Sequence, residues 1–224
     1  MAIDTHTHIF NEAFDFDREE VINRIISNNI QKIVLVGFSK ETNKQTLELS
    51  SKYSFIYPTV GYHPSEANEI NDNDLIELEN IIKENKIYAI GECGLDYYWV
   101  KDNKDAQKKL FKVQLDLSLK YDLPVVIHCR DAINDVYEIL KEYVGKVKFV
   151  MHCYSGSKEM ALEFLKLGGY ISLGGPVTFK NSKEPKEVAK IVPIDKLLIE
   201  TDCPYLTPHP YRGKRNEPSH VRLV

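Results

Sequence analysis

Cysteine is sparse in this chain of 224 residues, and what there is forms no CxxC pair: Cys93, Cys129, Cys153 and Cys203 stand alone. That spacing excludes a zinc knuckle and offers no disulfide framework, so the four read as free thiols. Long hydrophobic runs are missing too. None approaches the ~18 residues that a membrane-spanning helix needs, so no membrane partner is expected. The opening Met1-Ala2-Ile3-Asp4-Thr5-His6 lacks both the basic start and the apolar stretch of a secretory signal. The expected location is the cytoplasm. Positive charge is not in excess: the formal net charge of −4 excludes a uniformly basic nucleic-acid coat but leaves room for a local basic patch. No GxGxxG follows the first apolar run, so a dinucleotide site has no support. No repeat, low-complexity tract or linker interrupts the chain, and residues 1–224 read as a single domain.

What is present is core-forming, with 43% hydrophobic and 28% charged residues. Eight short apolar runs, rich in Val and Ile, alternate with longer stretches: Ala2–Thr5, Lys32–Val36, Phe55–Val60, Ile87–Gly91, Pro124–Ile127, Lys146–Met151, Tyr170–Leu173 and Leu197–Thr201. Continuous apolarity is the mark of parallel strands buried on both faces. Between them Lys104–Tyr121, Asp131–Tyr143 and Ser157–Leu167 carry helical periodicity, with Asp131 and Ser157 as N-caps and Gly168-Gly169 as a stop. Lys180–Lys186 and Thr207–Pro218 read as loops. This cadence predicts an α/β fold, a (β/α)8 TIM barrel, ahead of an open doubly wound sheet. Because the sequence stops at Val224, soon after Pro218-Ser219, the last helix is expected to be truncated.

Polar residues fall at the C-terminal ends of these runs. Of the seven histidines, five do so: His6, His8, His63, His128 and His152; Glu92 and Asp202 join them. In a barrel these ends open onto one face. Strand residues two apart point the same way, so His6 and His8 can chelate one divalent cation, with Asp202 adding an oxygen. His128 and His152 can form a second site, and Glu92 has two oxygens with which to span both. Six polar groups ending five apolar strands without such a use would be six uncompensated desolvation costs. Each cysteine follows a candidate ligand by one residue, and strand alternation turns it away from the site. Glu200, two before Asp202, is placed to orient a histidine. His63 reads as a substrate contact or proton donor. Arg130 and Tyr154 are candidate pocket residues, and Arg212 and Arg215, with Lys214, lie where barrels often hold phosphate. The Tyr97-Tyr98-Trp99 cluster either stacks on bases or covers the barrel mouth.

Taken together, Ile3-Asp4-Thr5-His6-Thr7-His8, Gly61-Tyr62-His63-Pro64, Gly91-Glu92-Cys93-Gly94-Leu95-Asp96-Tyr97, Ile127-His128-Cys129-Arg130, His152-Cys153-Tyr154-Ser155-Gly156, Glu200-Thr201-Asp202-Cys203-Pro204-Tyr205-Leu206 and Arg212-Gly213-Lys214-Arg215-Asn216-Glu217-Pro218 resemble the TatD family of metal-dependent deoxyribonucleases. The resemblance spans nearly the whole chain in the family's order. It implies a TIM-type barrel with two divalent cations (Mg2+, Mn2+ or Zn2+), held by His6, His8, Glu92, His128, His152 and Asp202. It implies DNA as partner, with hydrolysis of phosphodiester bonds at single-stranded ends in the 3′-to-5′ direction and no obligate protein partner. In that scheme Asp202 is the general base, Glu92 the shared ligand, and His63, Arg130, Tyr154, Arg212 and Arg215 contact substrate. Two rival readings share the same residues: ester or amide hydrolysis, such as deacylation of D-aminoacyl-tRNA, and a non-catalytic metal-binding barrel.

Overall fold

The computed structural model describes residues 2–224, and all eight expected strands form in it. They are β1 (Ala2–Thr7), β2 (Ile30–Val36), β3 (Ile56–Val60), β4 (Ala89–Asp96), β5 (Val125–Arg130), β6 (Phe149–Met151), β7 (Tyr170–Leu173) and β8 (Leu197–Ile199). Each pairs in parallel with the next, in a single sheet of order β1 to β8. Among the described residues seven α-helices connect them: α1 (Arg18–Ser27), α2 (Lys40–Lys52), α3 (Asp72–Glu84), α4 (Lys104–Tyr121), α5 (Ile133–Lys141), α6 (Lys158–Lys166) and α7 (Glu184–Ile191). This is a nearly closed (β/α)8 barrel. After β8 the described chain carries a 3-10 stretch, Pro218–Leu223, where an eighth α-helix would stand.

Side chains and loop backbone complete the seam between β1 and β8. The Asp4 carboxylate accepts from the Thr201 amide (2.9 Å) and from the Thr201 hydroxyl (2.6 Å). The Asp202 amide donates to the His6 carbonyl, and the His8 amide donates to the Cys203 carbonyl, both at 2.9 Å. These bonds draw residues 4–8 and 201–203 together although they lie at opposite ends of the chain.

Apolar layers fix the helices to the sheet. Phe111, Leu115, Val136, Phe149 and Phe164 are buried around β4 to β7, and Phe14, Val21, Ile25, Ile33 and Leu35 around β1 and β2. Each such side chain contributes about 1.5–3 kcal/mol by leaving water. Ser157 caps α6 as expected, its hydroxyl accepting from the Met160 amide, and Gly168 follows that helix at φ 91°. Asp131 does not cap α5. It has φ 53°, and Ala132 holds the cap position. The expected loop at Lys180–Lys186 is shorter, since α7 begins at Glu184.

Two strands depart from simple alternation where it matters. Along β1 the step from Asp4 to Thr7 faces only the step from Ile33 to Leu35. Along β4 the step from Ile90 to Cys93 faces Val125 to Ile127. Each is an extra residue of the β-bulge kind, which bends a strand and re-aims its side chains. His6 lies in the first and Glu92 in the second. β4 also continues through polar Glu92 to Asp96, well past the apolar run that marked it. Gly94 makes this possible: at φ 139°, a Cβ there would collide with the His128 carbonyl, so only glycine lets β4 lie against β5.

Candidate metal centre

Six ligand-type side chains meet at the C-terminal mouth of the barrel. His6 and His8 come from β1 and the turn after it, Glu92 from β4, His128 from β5, His152 from just past β6, and Asp202 from just past β8. The Glu92 carboxylate sits at the middle. Its Oε1 lies 2.9 Å from His128 Nδ1 and 3.0 Å from His152 Nε2. Its Oε2 lies 3.4 Å from His6 Nε2 and 3.8 Å from His8 Nε2. One carboxylate thus presents one oxygen to each histidine pair. Asp202 Oδ1 stands 3.4 Å from His8 Nε2 and 3.8 Å from His6 Nε2, and so joins the His6 and His8 side.

The histidines are oriented from behind. His8 Nδ1 donates to the Val36 carbonyl at 2.9 Å, His128 Nε2 to Asp96 Oδ2 at 2.9 Å, and His152 Nδ1 to Glu200 Oε1 at 3.0 Å. Each bond fixes one ring N–H and leaves the other nitrogen of the neutral ring with a lone pair toward the centre, the usual arrangement around metal-ligating imidazoles. Glu200 acts as the sequence spacing predicts, and it also takes the Cys153 amide at 2.7 Å. Buried His6 is the exception, since its Nδ1 has no hydrogen-bond partner among the described residues.

This donor set fits divalent cations. The Nε2 atoms of His6 and His8 are 3.1 Å apart. Two nitrogens bound to one cation at about 2.1 Å sit about 3.0–3.4 Å apart for octahedral to tetrahedral angles. Three overlapping groups within this cluster each offer three ligand atoms close enough for one ion: His6, His152 and Asp202; His6, His8 and Glu92; His63, Glu92 and His128. Nitrogen with carboxylate oxygen and no thiolate suits Zn2+ or Mn2+ better than Ca2+.

Burial and charge pull against each other here. Burial alone raises Glu92, but His152, His128 and His6 outweigh it and hold the carboxyl well below its ordinary range. Asp202 is likewise lowered against its burial, chiefly by His8. Burial lowers the imidazoles, yet Glu92 and Glu200 leave His152 raised well above its ordinary value, Asp202 leaves His8 raised, and Asp96 with Glu92 leaves His128 raised. His6 stays lowered by burial and by its neighbour His152, whose ring stacks on it at 3.9 Å.

The centre lies in a cleft of about 730 Å³, whose walls include His63, Arg130, Tyr154 and Trp99. His63 packs edge-on to His128 with centroids 4.4 Å apart, and burial with His128 lowers it to about 4. Its Nδ1 accepts from the Ser65 amide, so the neutral ring carries its proton on Nε2. Tyr154 lines the cleft, but its hydroxyl donates to the Ser157 carbonyl at 2.8 Å. Arg212 and Arg215 are not part of the cleft wall. Arg215 is tied to Asp17 at 2.6 and 2.7 Å and covers the Phe14 ring, while Arg212 lies over Phe179. The basic loop is used by the fold on the Arg215 side, and a phosphate-binding role for that residue is not supported. The cysteine expectation holds for Cys93 and Cys203, which are buried in the apolar layers. It fails for Cys153, which lines the cleft; Cys129 borders the cleft but packs, partly buried, against the apolar layer as expected. Cys153 follows the end of β6 at φ 42°, where strand alternation no longer applies. Asp96 is the residue that sequence reasoning missed. It stands four after Glu92 on the same strand, and that even spacing was the available signal.

The sequence profile of the family described as TatD related DNase matches residues 3–224. An uncharacterized metal-dependent hydrolase, YabD of Bacillus subtilis, is 50% identical over 225 residues, covering 100% of this chain and 88% of its own. Among solved structures, the TatD homolog YjjV of Escherichia coli K12 superposes with a TM-score of 0.92 at 30% identity, covering 98% of this chain and 86% of YjjV. A hydrolase TatD family protein of Entamoeba histolytica superposes at 0.88 with 28% identity, covering 99% and 88%.

Proposed function

Because the chain belongs to the TatD related DNase family, and so to metal-dependent hydrolases, we propose that it cleaves phosphodiester bonds in DNA, from single-stranded 3′ ends, with two divalent cations. His6, His8 and Asp202 hold one cation, His128 and His152 the other, and Glu92 is shared. The observation that carries this reading is the placement of the two Glu92 oxygens, one against each histidine pair.

Cations bound there supply Lewis acidity at a phosphoryl oxygen and lower the pKa of water at neutral pH. The chain's own groups do the rest. Asp202, ionised because His8 holds its pKa down, accepts the proton of the attacking water while it serves as a ligand. Neutral His63 donates from Nε2 to a substrate oxygen. Arg130, at the rim of the cleft, sets the flanking phosphate. Glu200, Asp96 and the Val36 carbonyl keep three imidazoles in position and in the right tautomer.

The test is a 5′-labelled single-stranded oligonucleotide incubated with the protein and Mn2+ or Mg2+, run beside D-aminoacyl-tRNA. Stepwise shortening from the 3′ end that stops on chelation is expected. Intact DNA with rapid deacylation of the tRNA would transfer the centre to an ester substrate. Less than stoichiometric metal at saturating Mn2+ would leave a non-catalytic barrel.

A further inference from the structure

The loop between β4 and α4 carries an arrangement that the metal centre does not use. Trp99, the single tryptophan of the chain, stands on the wall of the same cleft and is 69% exposed. Tyr98 meets it edge-to-face at 4.8 Å and is 44% exposed. The two exposed rings stand together at the cleft rather than scattered singly. The Arg130 guanidinium lies 4.0 Å from the Tyr98 ring centroid and 5.3 Å from that of Trp99. Among the described residues it makes no hydrogen bond and no ion pair. Its face is therefore occupied by aromatic carbon while its in-plane N–H groups remain free, and a guanidinium held by its face keeps those donors for a phosphate.

The loop is held firmly in place. Asp96 Oδ1 accepts from both the Tyr98 and Trp99 amides at 2.9 Å, while its Oδ2 receives His128 Nε2 at 2.9 Å. A single carboxylate thus ties the aromatic pair to a histidine of the metal centre. Buried Gln107 closes the loop from beneath. Its carbonyl oxygen accepts from the Asp96 amide, and its Nε2 donates to the Asp96 and Val100 carbonyls and to Asn103 Oδ1. The ordering entropy of this platform is met in folding, so little remains to be lost on binding.

We infer that Trp99, Tyr98 and Arg130 form a nucleotide subsite: an unpaired nucleobase next to the scissile linkage stacks on the Trp99 indole, and the Arg130 edge takes its phosphate. The inference rests on the nucleic-acid reading above and adds to it. A base can offer its face only when it is out of a duplex, so the subsite selects single-stranded ends. It acts on binding, and the Asp96 tether sets its distance from the centre.

The single tryptophan supplies the test. The full-length protein with Mn2+ is titrated with a phosphorothioate-linked thymidine oligomer, which resists cleavage, and with an abasic oligomer of equal length and charge. Stacking predicts saturable quenching of Trp99 emission by the first and little by the second. In anisotropy titrations of the labelled thymidine oligomer, Trp99→Leu should raise Kd about tenfold, and Trp99→Phe should restore most of the loss. Unquenched emission together with equal affinity for both oligomers would overturn the subsite. Cleavage of an ordinary oligonucleotide is read separately. Quenching without cleavage keeps the subsite and removes the nuclease reading. Cleavage without quenching, with KM unaltered in Trp99→Leu, does the reverse.

Discussion

Glu92 and Glu200 look alike in composition and act differently by position. Glu92 touches both histidine pairs, whereas Glu200 touches only the back of His152 and the Cys153 amide. Glu92→Gln removes the shared charge. It should lower turnover by at least about 10²-fold and bring metal content below two per chain, as read by elemental analysis alongside the oligonucleotide assay. Glu200→Gln keeps the shape and leaves the lone pair of His152 less basic. It should weaken Mn2+ binding about 10–100-fold, measured by titration, with a smaller loss of rate at saturating metal. Equal damage from both substitutions would mean that Glu200 is more than an orienting group. Both carboxylates were legible from spacing in strands, as was the pairing of His6 with His8. Asp96 was not singled out, because the apolar run that marks β4 ends before the strand does.

At the level of elements, the basic stretch after β8 is divided between surface and structure. Arg215 bonds bidentately to Asp17 ahead of α1, and Arg24 on α1 donates to the Glu217 carboxylate at 2.8 Å. These pairs pin residues 215–217 against the first helix. Arg215→Ala should lower stability by about 1–3 kcal/mol in urea melts, with oligonucleotide affinity and its salt slope unchanged. A flattened salt slope would return Arg215 to the substrate path. The Asp17 carboxyl is held low, first by its hydrogen bonds from Arg215. Its contribution is therefore complete above its unfolded pKa and is lost as pH falls through the depressed folded value. In the barrel wall, Phe164→Ala removes a buried ring shared by α6, β6 and the Tyr154 side chain. It should cost about 3–5 kcal/mol, visible as a lowered urea midpoint.

Across the whole molecule, protons and cations compete for one cluster. In the metal-free protein His8, His128 and His152 are raised, so their stabilisation is complete below about 6.5 and is lost as pH rises through their folded values. Glu92 and Asp202 are lowered, so theirs is present above the ordinary carboxylate range and is lost as pH falls. His6 and His63 have the opposite sign to the other imidazoles, costing stability as pH drops below 6.5. A cation must displace the protons on the three raised rings, and affinity therefore climbs with pH. The gap in Tm between Mn2+-saturated and metal-free protein should widen from pH 6 to pH 8 by thermal melts, with proton release on binding. A gap independent of pH would place the cation away from these histidines.

The order of strands, their parallel pairing and the polar ends that face the mouth were all set by the sequence, because continuous apolar runs and period-two spacing are local properties that each segment carries alone. Several features were decided only by the folded chain. The bulges that aim His6 and Glu92, the division of Glu92 between two histidine pairs, the turn of Cys153 toward the cleft, and the loss of Arg215 to Asp17 all depend on contacts between residues far apart in sequence. A strand's pattern says which side a residue faces. It does not say what lies opposite, and in this barrel the partners across the mouth turn six polar side chains into one site.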